Sequence, residues 1–241
     1  MSGEAQGPQA TGERGPRLGT PRVHRRVTGS TSADARALAS AGAPHGTLVT
    51  AAAQREGRGR QGRSWHAPPG SALLCSLVLR DPPELLPIAA AVAVAELAGP
   101  AAVLKWPNDV QLDGRKVAGI LIEGRPQEGW AVLGIGVNVA VEVADLPPEL
   151  RVSAGTLGLG PDAVEPVLER LLAGLEDWLA RPGAQIVDAW RERDALLGQR
   201  IEWNGGRGVA RGIDEHGHLR VLRDDGRHEL LRAGEVHLAA P

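Results

Sequence analysis

The sequence predicts an α+β fold in which helices pack on a sheet, followed by a small all-β unit, and three observations carry that prediction. Short β-branched runs bounded by Gly, Pro, Asn or Asp recur through the first part of the chain. Two long helical patterns accompany them, at residues 83–99 and 161–182. Beyond Gly198 the pattern changes to brief strands separated by turn-forming residues. With 241 residues the chain has room for one large domain, or one of typical size with a small appendix, and for a substantial hydrophobic core.

Residues 1–20 are rich in Gly, Pro and Arg without hydrophobic periodicity, which predicts a disordered leader. The leader is too short and too poor in apolar residues for a helix-turn-helix module, so no DNA-binding domain and no repressor role are expected. It also lacks the apolar core of a signal peptide, and no run of about 18 apolar residues follows, so no membrane is expected. In "GSTSADARALASAG" Ser30 or Thr31 offers an N-cap for an Ala-rich helix ending near Gly42. "GTLVTAAAQ" reads as a strand entering the loop "GRGRQGRSW", and "SALLCSLVL" as a buried strand leaving it. "PELLPIAAAVAVAELAG" is apolar almost all round, as a buried helix is. "AAVLKW", "VAGILIEG" and "GWAVLGIGVNVAVEV" give three more strands. Then Val164, Val167, Leu168, Leu171, Leu172, Leu175, Trp178 and Leu179 recur at helical spacing between Pro161 and Pro182, which marks a core-packing helix. "AQIVDAWRERDALLG" gives one further helix, after which "NGG", "DEHG" and "RDDG" punctuate the short C-terminal strands. The expected division is a leader at 1–20, a main domain at 21–197 and a small β domain at 198–241.

Charge narrows the function classes. The 27 basic and 29 acidic residues leave a formal charge of −2, with no global excess to hold a phosphate backbone by counterion release. The single Cys75 excludes an internal disulfide and a cysteine metal site, reads as a small buried hydrophobe, and fits a reducing cytoplasm. There is no Phe or Tyr, and only two Lys stand against 25 Arg. Where Lys and Asn have been so widely replaced, those that persist are functional candidates. Lys105 and Lys116 lie within twelve residues of each other with Asn108 between them.

Three stretches carry candidate chemistry. In "GRGRQGRSW" the glycines let backbone N–H groups and the forks of Arg58, Arg60 and Arg63 converge on a compact polyanion, with Trp65 offering a ring face; a solvated surface loop fits the same residues. "KWPNDV" sets Lys105, Asn108 and Asp109 at a strand end, and Lys116 opens the next strand. Ammonium, amide and carboxylate groups so clustered suit phosphate and Mg²⁺ chemistry, while an Asx-turn and a surface ion pair are the structural alternatives. In "GIGVNV" Gly134 and Gly136 lie within a strand, as where a ligand or backbone approaches closely, and Asn138 either meets a ligand or satisfies a neighbouring backbone group.

"GSTS", "AAAQREGRGRQGRSW", "KWPNDV", "GRKVAGILIEG" and "GIGVNV", in this order and at these separations, resemble the catalytic domain of biotin protein ligases. The motifs span residues 28–139 and the resemblance extends in outline to the end of the chain. It implies a class II aminoacyl-tRNA synthetase-like fold, shared by the biotin and lipoate ligases, with a mixed sheet and packed helices. It also implies a small C-terminal Src-homology-3-like β-barrel. The implied reaction joins biotin to ATP as biotinoyl-5′-AMP, releasing pyrophosphate, and then transfers the acyl group to a lysine of a biotin carboxyl carrier domain, releasing AMP. By the resemblance, Ser30, Thr31, Gln54, Gly57, Arg58, Arg60, Lys116, Gly119, Gly134 and Gly136 surround biotin. Arg60, Arg63, Trp65, Asn108, Lys116 and Asn138 surround ATP or the adenylate, and Lys116, Arg58 and Asp109 act in catalysis. Mg²⁺ comes mainly through the ATP phosphates, with Asn108 or Asp109 as protein oxygens beside it. Ser32 departs from the family, which usually carries Asn there. Cytoplasmic location and a monomer or weak homodimer complete the expectation. A lipoate or octanoyl ligase is the near rival, and a nucleic-acid-binding module using the Arg-rich loop is the rival from another class; the neutral charge and the absence of Phe and Tyr oppose the latter.

Overall fold

Seven strands form the main sheet of the computed structural model, which describes residues 17–125 and 128–239. They are β1 (Arg22–Arg25), β2 (Leu48–Ala51), β3 (Ala72–Arg80), β4 (Val103–Lys105), β5 (Asp109–Leu112), β6 (Arg115–Arg125) and β7 (Trp130–Asn138), in spatial order β1-β2-β3-β7-β6-β5-β4. β1 runs parallel to β2 and the other pairs are antiparallel, so the sheet is mixed. β1 and β5 were not expected from the sequence. Both are only four residues long; β1 has no buried position and β5 only Val110, so neither shows a clear alternation.

The period of two along β3 and β7 builds two different faces. Leu73, Cys75, Leu77 and Leu79 of β3, with Leu133, Ile135 and Val137 of β7, enter the large core under the helices. Their neighbours Val78 and Val132 turn to the opposite face, where Ala35 and Ala39 of α1 (Thr31–Ser40) pack on them. Burial pushes the Cys75 thiol up to about 12, so it stays a neutral, inert hydrophobe. α2 (Leu86–Ala98) crosses the core face, its Ile88 to Ala95 run buried on every side. A short α3 (Pro148–Arg151) follows the sheet, then α4 (Val164–Leu179) lies along α2, and Trp178 of α4 donates its indole N–H to Glu96 at 2.7 Å.

The last expected helix is corrected by the structure. α5 spans Gly183–Arg191 and does not run on through "RDALLG". The backbone beyond it is taken by the sheet edge: Leu104 donates to the carbonyl of Arg193 at 2.7 Å and accepts from Ala195 at 2.9 Å. The N-terminal boundary also differs. Residues 1–16 lie outside the described part, but Leu18 is already buried and its N–H reaches Glu176 at 2.8 Å, so packing begins inside the segment assigned to the leader.

β8 (Arg200–Trp203), β9 (Gly206–Ile213), β10 (Leu219–Arg223), β11 (His228–Leu231) and β12 (Val236–Leu238) form a five-stranded antiparallel sheet ordered β11-β10-β9-β8-β12. Its Ile201, Ala210, Ile213, Leu219 and Val221 join the same buried cluster as α2 and the main sheet. A close approach is at Gly217 (φ +79°), where a Cβ would stand 2.6 Å from Ile88 and whose carbonyl accepts the Trp106 indole N–H at 3.1 Å. No helix among the described residues is long and apolar enough to cross a membrane.

Candidate active site

α1 covers only part of its sheet face. Past Val78 and Val132 the register runs Ser76 against Gly134 and Leu74 against Gly136, and Gly119 of β6 lies opposite Gly136. These glycines form a floor without side chains. A Cβ on Gly134 would come within 2.6 Å of the Ser32 hydroxyl, one on Gly136 within 2.6 Å of the Trp65 ring, and one on Gly119 within 2.9 Å of the same ring. Two glycines in one strand therefore answer two close approaches, Ser32 over Gly134 and the Trp65 ring over Gly136.

At the α1 end of this floor the polar groups are linked. Gln54 Oε1 accepts from Thr31 N at 2.7 Å and from Thr31 Oγ1 at 3.0 Å; Ser76 Oγ donates to Thr31 Oγ1 at 2.9 Å and lies 3.1 Å from Ser32 Oγ. Ser30 holds the N-cap position, but its hydroxyl makes no cap bond and is buried without a partner. The chain of hydroxyls and amide uses the Gln54 amide oxygen and not its amide nitrogen. Ser76 escaped the sequence reading because a serine within "SALLCSLVL" has no distinguishing neighbour.

At the other end stands charge. The register between β5 and β6 shifts between Val110 and Gln111, so that Val117 is the extra residue and Lys116 pairs with Gln111. This bulge turns Lys116 to the face that carries Asp109 and Gly119; in regular register it would point into the core. Lys116 Nζ then lies 2.6 Å from Asp109 Oδ1, an oxygen shielded from water, and 5.7 Å from the Trp65 ring centre, within cation–π range. The Lys116 backbone is strapped to a segment that the sequence reading passed over: its N–H donates to Ser153 O at 2.7 Å, and Gly155 N–H donates to its carbonyl at 2.8 Å.

"KWPNDV" is the turn between β4 and β5. Asn108 donates its side-chain N–H to Ile120 O at 2.9 Å and fastens β6. Asn138 behaves similarly: Nδ2 donates to Gly155 O at 2.8 Å, while Oδ1 is buried without a partner among the described residues. The structural alternative for Asn138 therefore accounts for its amide nitrogen and not for its amide oxygen.

The Arg-Gly loop is a narrow hairpin. Trp65 N donates to Gly57 O at 2.9 Å and Gly59 N to Arg63 O at 2.7 Å, and a Cβ on Gly57 would lie 2.4 Å from Trp65 O. Its tip, Gln61 and Gly62, uses left-handed backbone at φ 54° and 74°. Burial pushes the Arg60 guanidinium below its ordinary value, and the carboxylate of Asp109 pulls it back up. Arg58 faces Glu123 at 3.7 Å.

One cavity of 380 Å³ joins these parts. Thr31, Ser32 and Gln54 wall one end; Arg58, Arg60, Arg63, Trp65 and Lys116 close it over Gly119, Gly134 and Gly136; Asn108, Asp109 and Asn138 line the far side. The expected Ser30 and Gly57 are not in this wall, although Gly57 lines the 910 Å³ mouth outside it. Leu146, Leu150, Ser153 and Ala154 complete the wall from the unforeseen segment, and His237 reaches it from the C-terminal domain. Among the described residues no cluster of three His, Cys, Asp or Glu side chains could hold a metal on its own.

Fold and site define a ligase-type α+β domain with an appended β domain, built to hold an acyl group beside an anion. The biotin/lipoate A/B protein ligase family model matches residues 25–139. The biotin–[acetyl-CoA-carboxylase] ligase of Paracoccus denitrificans is 37% identical over 235 residues, covering 87% of this chain and 97% of that one. The ligase of the same name from Mycobacterium tuberculosis is 35% identical over 231 residues, covering 87% and 85%. The structure of the Aquifex aeolicus biotin protein ligase in complex with biotin and ATP superposes with a TM-score of 0.77 at 25% identity, covering 92% of this chain and all of that one. The chain belongs to the biotin/lipoate A/B protein ligase family and is a ligase.

Proposed function

We propose that the chain is an ATP-dependent biotin protein ligase, and the observation that carries this reading is the single cavity with a neutral hydrogen-bonding end and a cationic end. A ureido ring presents two N–H donors and one carbonyl, which suits the Thr31–Ser76–Gln54 chain. A dithiolane ring has no carbonyl to accept from the Gln54 amide nitrogen and no N–H to offer the hydroxyls, and a site built to hydrogen-bond its ligand rejects one that lacks those groups. The glycine floor passes the acyl tail, and Trp65 forms the wall between the acyl and adenine ends.

In the first step an oxygen of the biotin carboxylate attacks the α-phosphorus of ATP, forming the acyl–phosphate bond and expelling pyrophosphate. Two anions must meet, so fixed cations aimed at the developing charge supply the catalysis. Lys116 does this at the carboxylate and α-phosphate oxygens, positioned by its ion pair with Asp109. Arg58, Arg60 and Arg63 close over the phosphates, and Asn138 Oδ1 accepts the adenine amine. The amide oxygen of Asn108 or the second oxygen of Asp109 would hold Mg²⁺ brought with ATP, which would supply charge neutralisation at the phosphates. In the second step a neutral lysine amine of the carrier attacks the acyl carbon, AMP leaves, and Asp109 anchors the incoming amine. Water must stay out until then, or the mixed anhydride hydrolyses.

The partner is therefore a biotin carboxyl carrier domain, and the charge of −2 argues against DNA. We assign the chain to the cytoplasm as a monomer or weak homodimer, with the chemistry in residues 21–197 and the β domain at 198–241. Calorimetric titration with biotin and with lipoate, followed by pyrophosphate release from MgATP, tests the reading. Biotin should bind and drive release; lipoate binding in its place would overturn it.

A further inference from the structure

The Arg-Gly loop is moored at both ends to different parts of the molecule. At its base Arg58 faces Glu123 of β6, which also takes Arg36 at 3.0 Å. At its tip the partners belong to the C-terminal domain: Arg60 Nη2 donates to Gly234 O at 3.2 Å, and Arg63 forms an ion pair with Glu235. Gly234 and Glu235 lie in the link between β11 and β12, far from the loop in sequence. The Glu235 side chain is 23% exposed and its Oε1 is shielded from water. A carboxylate oxygen so placed needs a cation, and Arg63 is the cation it meets. His237, two residues on, stands 3.9 Å from the other oxygen and lines the same 380 Å³ cavity as Arg60 and Arg63. Loop tip and β12 therefore close one mouth from two sides.

We infer that Glu235 is a positioning residue for the ligase reaction: by holding Arg63, while the Gly234 carbonyl holds Arg60, it keeps the loop tip down over biotinoyl-AMP until the carrier lysine arrives. The inference rests on the ligase reading above. The loop needs such an anchor because its tip is a glycine turn in left-handed backbone, and a hairpin this thin buries little of its own. Nothing in the chemistry of either step requires Glu235 to touch substrate, so its effect is on retention.

The test follows the escape of labelled biotinoyl-AMP, formed on the enzyme from biotin and MgATP and chased with unlabelled biotin. Glu235→Gln keeps the shape and removes the charge; it should speed escape about two- to fivefold, the range of one partly exposed ion pair. Biotin affinity and the thermal midpoint should be unchanged, and Glu235→Asp, which keeps the charge, should stay near wild type. Arg63→Ala should also speed escape, and adding Glu235→Gln to it should do nothing more, because the two residues act as one contact. Wild-type retention in Glu235→Gln, or full additivity with Arg63→Ala, overturns the mooring while leaving the ligase reading intact. No biotin-dependent adenylate in the wild type overturns both.

Discussion

Lys116 was legible in the sequence because a chain with two lysines makes each conspicuous, yet what places its ammonium in the cavity was not. That is a β-bulge at Val117, and "RKVAG" does not show whether the register slips. Lys116→Ala should lose pyrophosphate release by about 10²–10³-fold, the range seen when one charge-stabilising donor is removed, while calorimetry shows biotin still binding. Wild-type release in that variant would contradict the role. Gly136 is the complementary case, a residue whose use is to have no side chain. Gly136→Ala puts a Cβ 2.6 Å from the Trp65 ring, which should cost about 1–3 kcal/mol of packing and weaken biotin binding measurably by titration. Ser76 shows the limit at this scale: its partners Thr31 and Ser32 lie 45 and 44 residues away, and local pattern carries no trace of them.

Among the elements, α1, α2, α4 and the long strands β3, β6 and β7 could be read because apolar periodicity and burial coincide in them. β1, β5 and the early end of α5 could not, because their boundaries are set by backbone bonds to distant partners such as Leu104. The pocket-lining segment 146–154 hid for the same reason: Leu146 and Leu150 look like ordinary loop hydrophobes until Lys116 is strapped beside them. The turn between β9 and β10 gives a prediction of its own. Burial raises Asp214, but the N–H groups of His218 and His216 at 2.8 and 3.0 Å more than offset it, and the carboxyl is held below its ordinary range. The unfolded chain then binds a proton more readily than the folded one, so stability is present above about pH 4 and is lost as pH falls through the lowered value. Asp214→Asn should flatten the acid limb of a plot of thermal midpoint against pH; an unaltered limb would contradict the assignment.

The whole molecule is two sheets on one core with a cavity closed from both, which explains why a β domain accompanies the catalytic one. Gly217 is one place where they pack closely. Gly217→Ala, with φ +79° and a Cβ 2.6 Å from Ile88, should lower the thermal midpoint by an amount corresponding to about 1–3 kcal/mol, read by calorimetry. Separation into two transitions would show that the shared core is weaker than its burial indicates. On the proposed reading this cavity makes an acyl-adenylate and hands it to a lysine. Protein, biotin, MgATP and a biotin carboxyl carrier domain, mixed and analysed by mass spectrometry, should show one biotin mass increment on one carrier lysine; a carrier that stays unmodified while biotin and ATP are bound would contradict it.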